Sequence, residues 1–336
     1  MSSQIEDNLG HLRRLRASAG KGTPLGEYVT FGCSYPSNKG VDKSDNKGSS
    51  VMIAPSPVID SRRIRAGVSA FHEQAELDAD ANGDGFERSE TGAQLTMEYL
   101  VSNDFVLGMG LSHSRTKLSP TYGKRRDEDN THFDLFGVYR SGRWSSTTAL
   151  GVGLHQHELG RTVAGMQTEA EADGLSVNFL QDVAYTVWAD EQHGVQVFGS
   201  VESSFNMIDA FSESGAGNAS LLVDEQEAWA TDVTLGMRYN RALPALGKAL
   251  PGTLTVQAGV VASLGDREHD VSMRFAGAEA HGYKQHAAER NRWGYNVGIS
   301  VNLPVTAETA LYGSAEAVIR NASTSVDAQL GVKMAF

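Results

Sequence analysis

Apolar and polar residues alternate along most of the chain. In the last segment, the even-numbered positions from Val326 to Phe336 are apolar, and Asp327, Gln329 and Lys333 stand between them. A period of two is typical of β-strands, because successive side chains point to opposite faces of a sheet. The alternating segments are also about twice as long as ordinary globular strands, which have roughly 5–6 residues. We therefore expect an all-β chain whose long strands have one apolar and one polar face.

Twelve such segments follow one another. Their predicted spans are 62–77, 88–100, 104–117, 129–140, 143–157, 171–187, 194–207, 225–240, 252–264, 289–302, 308–320 and 324–336. The connections after even-numbered segments are mostly short, whereas those after odd-numbered segments are mostly longer. The longer ones cover 78–87, 118–128, 158–170, 208–224 and 265–288. Short turns at one rim, long loops at the other and an even strand count are typical of a transmembrane barrel in a bacterial outer membrane.

The two faces of the strands predict which side of the barrel meets lipid. The polar faces carry charged side chains, namely Glu98, Asp134, Asp182, Glu202, Asp232, Arg238 and Lys333. The apolar faces end in aromatic residues, namely Tyr99, Tyr139, Tyr185, Tyr239 and Tyr295. A soluble β-sandwich also has alternating strands, but they are shorter and pack bulky residues into a core. We therefore predict a lipid-facing exterior with an aromatic girdle around a hydrated interior.

Composition excludes several other classes of protein. No run approaches the roughly 18 consecutive apolar residues of a membrane-spanning helix, so a helical membrane protein is excluded. The net charge of −12, without a basic stripe interleaved with aromatic residues, argues against a nucleic-acid partner. The single cysteine, Cys33, excludes an internal disulfide and a cysteine-cluster zinc site. No phosphate-binding or dinucleotide-binding motif is found, so we expect no cofactor.

The start of the chain has a helical pattern instead. Ser3 with Glu6 three residues later predicts a capping box. Apolar residues follow at helical spacing, namely Ile5, Leu9 and Leu12, with Leu15 near the same stripe. Three arginines lie where the helix dipole favours cations, namely Arg13, Arg14 and Arg16. The pattern predicts one helix over 3–18, which is too short to be stable alone in water and needs surroundings that cover it.

Two domains follow from these patterns. Residues 1–61 are predicted to be a linker that contains the helix, and residues 62–336 are predicted to be the barrel. We interpret 21–61 mostly as an irregular segment, because Pro, Gly, Ser and charged residues are frequent there. A hairpin between 28–35 and 51–54 would raise the strand count to fourteen, but we expect twelve.

A short helix, twelve strands and a final aromatic residue together resemble the translocator (β) domain of monomeric autotransporters, the proteins of type V secretion. The most specific stretch is 294–336, which begins GYNVGISVNLP and ends QLGVKMAF. A second stretch is 211–239, FSESGAGNASLLVDEQEAWATDVTLGMRY, in which a loop precedes a strand ending in Leu-Gly-x-Arg. The resemblance covers 62–336 and extends to the helix.

The resemblance implies a function without small-molecule chemistry, so we expect no enzyme. Such a domain inserts among outer-membrane lipid and lipopolysaccharide with the help of the barrel-assembly machinery. It conveys a covalently linked N-terminal passenger, absent from this chain, to the cell surface. The helix then plugs the pore of a monomeric barrel. The resemblance also implies an assembly signal formed by Leu330, Val332, Met334 and Phe336.

The predicted helix and the predicted pore have similar sizes. The interior of about twelve strands is close to the roughly 10–12 Å diameter of one helix with its side chains. We expect the three arginines of the helix to meet inward carboxylates there, because charges attract more strongly in a partly desolvated lumen than at a surface. The candidate carboxylates are Glu98, Asp134, Asp182, Glu202, Asp232 and Glu316.

A free-standing porin or solute channel with an N-terminal plug is the alternative. A translocator's helix continues upstream into an exported domain, whereas a channel's plug directly follows a signal peptide.

The chain also departs from the family in two places. Self-cleaving members have an Asn-Asn junction, whereas this helix has only Asp7-Asn8, so we do not expect self-cleavage. Segment 21–61 is longer than the family's linker, and the sequence predicts no role for it.

One loop resembles the start of a calcium-binding loop. Its oxygen-bearing residues are Asp78, Asp80, Asn82 and Asp84. The twelfth position of such a loop needs a bidentate Glu, but Ser89 stands there, and strands rather than helices flank the loop. We therefore expect a polar surface loop and no metal.

Histidines and a serine give weak signals for other sites. His155 and His157 share one face of a strand, and His113 and His132 lie on neighbouring strands, but a third metal ligand is missing from the spacing. We interpret them as rim histidines without partners. Ser114 beside His113 resembles the serine–histidine chemistry of barrel lipases. The order is inverted and the Asn-Gly of those lipases is missing, so we expect no hydrolase.

Overall fold

A computed structural model describes residues 63–78, 86–120, 125–245, 251–265, 270–286 and 291–336 of the chain. These residues form sixteen β-strands, which we number in chain order. They are β1 (Ile64–Leu77), β2 (Phe86–Ser102), β3 (Phe105–Pro120), β4 (Arg125–Ser141), β5 (Trp144–Val163), β6 (Met166–Ala189), β7 (His193–Ile208), β8 (Phe211–Ser212), β9 (Leu221–Val223), β10 (Gln226–Leu243), β11 (Gly252–Gly265), β12 (Asp270–Phe275), β13 (Gly282–His286), β14 (Trp293–Pro304), β15 (Thr309–Arg320) and β16 (Ser323–Ala335).

Twelve of the strands close into one antiparallel barrel, in which each strand pairs with the next barrel strand along the chain. Strands β8, β9, β12 and β13 lie outside this circuit, so β7 pairs with β10 and β11 pairs with β14. The last strand, β16, pairs with β1, with Leu330 opposite Ala70, and this pairing closes the barrel. The twelve-stranded antiparallel barrel predicted from the period of two is therefore confirmed.

The predicted pore helix over 3–18 and the irregular segment 21–61 lie outside the described residues. The two helical segments that are described, Gly217–Ala219 and Ala276–Ala278, are single 3₁₀ turns. No helix among the described residues combines the length and the apolar character needed to cross a membrane.

Side chains along each barrel strand alternate between the outer and the inner face. Leu330 is 73% exposed on the outer face, whereas its neighbour Gln329 is 1% exposed on the inner face. Aromatic residues mark the end of the apolar outer face, where the rings of Trp144 and Tyr185 lie 4.7 Å apart on β5 and β6. An apolar outer face and a polar inner face are what a barrel surrounded by lipid requires.

The loop predicted over 158–170 is wrong. Strands β5 and β6 continue beyond the apolar part of the barrel and meet at a two-residue turn, Ala164 and Gly165. Their φ values of 48° and 82° lie in the left-handed region that two-residue hairpin turns require. Beyond the apolar part the outer face of the hairpin meets water, so polar residues such as Glu158 and Thr162 stand there. The period of two that reveals a strand in the sequence is lost there.

The loops predicted over 208–224 and 265–288 also contain strands. Strands β8, β9, β12 and β13 form a second sheet, which we call the rim sheet. Three buried side chains form its small core, namely Leu221, Val223 and Met273. The rim sheet is tied to the β5–β6 hairpin, because Arg161 donates two hydrogen bonds to Glu213, at 2.7 and 2.6 Å. The hydrogen bonds with Glu213 raise the pKa of Arg161, so this bridge stays charged.

Close packing inside the barrel gives one stability prediction. Gly108 on β3 lies directly under the ring of Phe136 on β4, and a Cβ atom at this glycine would overlap the ring. At Gly110, two residues further along the same strand, the nearest atom to a Cβ would be 3.4 Å away. We expect Gly108→Ala to lower the free energy of unfolding by about 1–3 kcal/mol through overpacking, and Gly110→Ala to change it much less. Urea unfolding of both variants in lipid vesicles measures the difference, and equal stability would contradict this packing.

Candidate functional site in the barrel interior

The inner face of the barrel is the candidate functional site, because it gathers most of the buried charged side chains. The period of two points alternate residues of every strand inward. Six carboxylates that were predicted from the sequence to meet the helix lie on this face, namely Glu98, Asp134, Asp182, Glu202, Asp232 and Glu316. All except Glu316 are buried.

Glu98 lies beside the seam that closes the barrel. Lys333 Nζ donates to Glu98 Oε1 at 2.6 Å, and Arg65 Nη1 lies 3.9 Å from the other carboxylate oxygen. Because Lys333 is on β16 and Glu98 is on β2, the pair passes over β1. Gln329 on β16 likewise donates to Gln94 on β2, at 3.1 Å. The inner side chains therefore connect the last barrel strand to the second one.

Asp182 accepts two hydrogen bonds from the guanidinium of Arg238, at 2.9 and 2.6 Å. The same guanidinium lies 3.9 Å from the ring centre of Phe198, and its Nε donates to Gln257 Oε1 at 3.2 Å. Asp182 is on β6 and Arg238 is on β10, so this pair passes over β7 and Phe198. A bidentate pair that also stacks on an aromatic ring has one fixed geometry.

Asp232 and Glu316 are held by neighbours on the other side of the barrel. Arg320 Nη2 donates to Asp232 Oδ2 at 2.8 Å, and the Ser263 hydroxyl donates to Asp232 Oδ1 at 2.7 Å. Glu316 accepts a hydrogen bond from Asn296 Nδ2 at 2.6 Å. Side chains from β11, β14 and β15 therefore fix these two carboxylates.

Asp134 on β4 has glycines, and not long polar side chains, level with it on both neighbouring strands, namely Gly110 on β3 and Gly151 on β5. Glu202 on β7 is level with Leu180 and Asp232. The contacts predicted between these carboxylates and Arg13, Arg14 and Arg16 involve residues outside the described ranges, so they remain predictions.

Arg88 is an inner cation that was not singled out from the sequence. It donates to Glu73 at 2.5 Å and to Glu90 at 3.3 Å, and all three side chains are buried. The signal was present, because Arg88 and Glu98 are an even number of residues apart on one strand and therefore share a face. What the sequence lacked was the register of β1 and β2, which sets Glu73 level with Glu90 beside Arg88.

Four polar residues form a cluster near the long-loop end of the lumen. His155 and His157 on β5 both approach Glu128 on β4, at 3.4 and 3.2 Å, and Arg126 Nη2 donates to His157 Nδ1 at 2.9 Å. The prediction of rim histidines without partners is therefore wrong for these two. It is also wrong for His113, which lies 3.1 Å from Thr131 Oγ1, and for His132, whose ring centre lies 5.3 Å from that of His155. The alternation places His155 and His157 inward, where burial requires hydrogen-bond partners.

This cluster lies beyond the apolar part of the outer face. The last apolar pair on β5 and β6 is Leu154 with Leu175, and the next outward pair is Gln156 with Asp173. His157 lies one position further still, opposite Glu128. The pair therefore lies outside the segment that lipid surrounds.

Burial and the charge of Arg126 both act on His157. Burial, followed by repulsion from Arg126, lowers the pKa of His157 to about 4. Burial opposes ionisation of Glu128, but attraction to His157 when it is protonated, the close contacts with the imidazoles of His155 and His157, and the charge of Arg126 hold the pKa of Glu128 well below the usual range. His157 is therefore neutral at pH 7 and accepts a hydrogen bond from Arg126, while Glu128 is ionised.

His157 predicts a pH-dependent stability. Its pKa is lower in the folded barrel than in the unfolded chain, so between pH 6.5 and 4 the unfolded chain binds a proton that the folded barrel does not. We expect stability to fall as the pH drops through this window, by on the order of 1–3 kcal/mol. His157→Gln should flatten the fall, and His72→Gln on the exposed outer face should not. Urea midpoints at pH 7, 5.5 and 4 test this, and identical slopes would contradict it.

One arrangement in this cluster resembles a catalytic serine–histidine pair. Ser176 Oγ lies 2.9 Å from His155 Nε2, and His155 Nδ1 lies 2.6 Å from Asn130 Oδ1. However, the backbone around Ser176 is paired on both sides in the ladders of β5 and β7, so it does not offer the free N–H groups that stabilise an oxyanion. The three side chains are also at most 1% exposed. This geometry favours a structural hydrogen-bond network.

The other weak patterns lead to no site in the described residues. Ser114 is buried on the inner face whereas His113 points outward to Thr131, so these two side chains lie on opposite faces of β3. No group of three or more His, Cys, Asp and Glu side chains in the described ranges is placed to hold a metal ion. Of the calcium-loop residues, only Asp78 is described, and Asp80, Asn82 and Asp84 lie outside those ranges.

Solved structures with this fold include several translocators. The translocator domain of autotransporter NalP from Neisseria meningitidis matches with a TM-score of 0.66 and 12% identity, over 83% of this chain and 90% of that chain. The β domain of the Bordetella autotransporter BrkA matches with a TM-score of 0.59 and 13% identity, over 82% of this chain and 100% of that chain. At these identities the matches show a shared fold.

Sequence comparisons place the chain more specifically. An extracellular serine protease of Serratia marcescens is 27% identical over 161 residues, which cover 47% of this chain and 15% of the protease. The chain therefore matches only a small part of that relative's length. The family described as the autotransporter β-domain matches residues 66–316. This chain belongs to the autotransporter β-domain family, and its closed barrel is a protein of the bacterial outer membrane.

Proposed function

We propose that this barrel conveys an upstream passenger across the outer membrane and then keeps the helix over 3–18 in its lumen as a plug. The observation that carries the proposal is the inner wall, which is lined with buried carboxylates and cations. A barrel of twelve strands is expected to have an interior close to the diameter of one helix. Arg13, Arg14 and Arg16 supply cations to such a wall. The barrel itself acts as a conduit, and any enzymatic activity belongs to the passenger.

The outer face supports the partners in this proposal. Its apolar side chains and aromatic ends suit contact with lipid and lipopolysaccharide. Four outward residues of the last segment, namely Leu330, Val332, Met334 and Phe336, form the surface proposed to engage the barrel-assembly machinery. The closed barrel leaves none of its twelve strands with a free edge for a second copy, so we propose a monomer.

A topology experiment separates this function from a simple channel. An epitope tag placed before Ser2, behind a signal peptide, is exposed to protease on intact Gram-negative cells. We expect the tag to be lost from intact cells, because a translocator carries its N-terminal side to the surface. A tag that is cut only after the outer membrane is broken would place both ends in the periplasm. That result would favour the porin or solute channel and overturn the translocator.

Conductance tests the plug separately. We expect the triple change of Arg13, Arg14 and Arg16 to Gln to raise the conductance of single barrels in planar bilayers, because the helix loses its charge attraction to the wall. Arg63→Gln, an exposed residue just before β1, is the matched control and should leave conductance unchanged. Deletion of 1–18 should raise conductance further. A deletion variant that conducts like the unmodified barrel would contradict the plug.

A further inference from the structure

We propose that the outer face of β2 and β3 binds the phosphate groups of lipopolysaccharide at the long-loop end of the barrel. Four outward residues carry the inference, namely Ser89 and Thr91 on β2 and Arg115 and Lys117 on β3. We call these four residues the phosphate site. The inference rests on the lipid contact in the proposed function and adds which residues make it, but it does not depend on the passenger or on the plug.

The outer face of β3 changes from apolar to basic without a Trp, Tyr or Phe between the two parts. Its outward residues are, in order, Leu107, Met109, Leu111, His113, Arg115 and Lys117, and the first three are about half exposed. On other strands the apolar face ends in an aromatic residue at the same end, as with Trp229 on β10 and Trp293 on β14. An aromatic ring suits the interface of a bilayer in general, whereas a cation at that level favours an anionic headgroup.

The two cations of the phosphate site lie at the level of the outer headgroups. The long-loop end of such a barrel faces the cell surface. A strand rises about 3.4 Å per residue and is tilted by about 35–45°, so Arg115 lies roughly 10 Å above Leu111. The hydrocarbon therefore ends between these two residues. Beyond it lie the headgroups of the outer leaflet, which in this membrane are those of lipopolysaccharide.

The register of β2 and β3 sets each cation beside a hydroxyl group. Arg115 is level with Thr91, and Lys117 is level with Ser89. Side chains at level positions of neighbouring strands have Cβ atoms about 4.5–5.5 Å apart. The guanidinium fork, the ammonium and the two hydroxyl groups can all donate hydrogen bonds, and phosphate oxygens accept such bonds. The phosphate site therefore combines charge with donors on one small area of the outer face.

Carboxylates lie on the other side of these cations. Asp129 and Asp127 on β4 are level with Arg115 and Lys117. Arg115 Nε lies 3.8 Å from Asp129 Oδ1, and the two side chains are 55% and 43% exposed, which is typical of a weak surface pair. On β2 the first outward carboxylate is that of Glu87, nearer the loop. A phosphate group therefore approaches the cations from the β2 side, over the hydroxyl groups.

Lipid A, the phosphorylated glucosamine lipid that anchors lipopolysaccharide, is the probe for this site. The full chain, folded in detergent, is titrated with bisphosphorylated lipid A, and native mass spectrometry counts the lipid bound to each barrel. We expect Arg115→Gln with Lys117→Gln to weaken binding by about tenfold or more, because both cations are lost. The matched control is Arg143→Gln with Arg241→Gln, which removes two exposed cations at the short-turn end and should not weaken binding. Heat-dependent gel mobility confirms that each variant is folded.

Two further ligands identify what the site recognises. Lipid A without its phosphates keeps the acyl chains, and we expect the unmodified barrel to bind it about as weakly as the double variant binds the bisphosphorylated lipid. Equal binding of the two lipids by the unmodified barrel would overturn the phosphate site. Inorganic phosphate at the same concentration should not displace the lipid, because it lacks the acyl chains that lie on the apolar part of β3. Displacement would assign the site to free phosphate and overturn the lipid as its ligand.

The variants separate this site from the rest of the proposed function. Equal affinity of the unmodified barrel and the Arg115→Gln, Lys117→Gln variant would overturn the phosphate site and leave lipid contact elsewhere on the outer face. An equal loss in the control variant would mean unspecific charge attraction and would overturn the site as well. Neither result changes the topology of the N-terminal side, which tests the translocator independently.

Discussion

Ile299→Arg is expected to lower the free energy of unfolding in a lipid bilayer by about 2–4 kcal/mol, because it places a charge in the middle of the lipid-facing surface. Ile299 is 51% exposed on the outer face of β14, between the aromatic end of the strand and the short turn that follows it. Ser300 is the next residue and points inward. Ser300→Arg is therefore a matched control with the same new side chain in the same strand, one position away.

Urea unfolding in vesicles, followed by the change in electrophoretic mobility of the folded barrel, compares the two variants. We expect Ser300→Arg to retain most of the stability of the unmodified barrel, since its guanidinium enters a polar lumen. Equal losses for the two variants would contradict the assignment of inner and outer faces. A larger loss for Ser300→Arg would reverse it.

Arg238→Met is expected to lower the free energy of unfolding by about 3–5 kcal/mol, because it leaves the carboxylate of Asp182 buried without its bidentate partner. The pair has nearly ideal geometry, with oxygen–nitrogen distances of 2.6 and 2.9 Å, and both side chains are largely buried. Phe198 also loses the cation that lies over its ring.

A double variant separates the pair from its surroundings. Arg238→Met with Asp182→Leu removes both charges, and we expect it to recover much of the lost stability, because replacing a buried pair by apolar groups of similar volume costs little. The free energy of interaction from this cycle is measured by urea unfolding at neutral pH. Additive losses from the two single changes would mean that the charges do not interact, contrary to the observed geometry.

The sequence predicts whether each side chain of a strand points inward or outward. It does not predict which residue an inward side chain meets. Gln329 and Leu330 alternate because one face of β16 meets lipid and the other does not, and the sequence carries that difference directly. The partner of Asp232 depends instead on how the barrel closes, since Arg320 is 88 residues away along the chain. A period of two places both side chains inward without indicating which strands bring them together.

The polar rim shows the physical limit of the same pattern. Beyond the bilayer the outer face of the β5–β6 hairpin meets water and carries polar residues, so the alternation of apolar and polar residues no longer marks the strands. The strands of the rim sheet are shorter still, with two to six residues each, too few to show a period. The histidine cluster was missed for a related reason, because His157 gains its partners from β4 through the register of the sheet and not from its own strand.

The side chains that pass over β1 also bear on how the barrel is completed. Lys333 reaches Glu98, and Gln329 reaches Gln94, in both cases across 235 residues of sequence. Contacts of such high sequence separation close a long loop at a large cost in chain entropy. Before they form, the edges of β1 and β16 are both unpaired. Once formed, they join three consecutive strands from within. Separation of β1 from β16 then requires the loss of these bridges together with the backbone ladder, so the seam opens as one cooperative unit or stays closed.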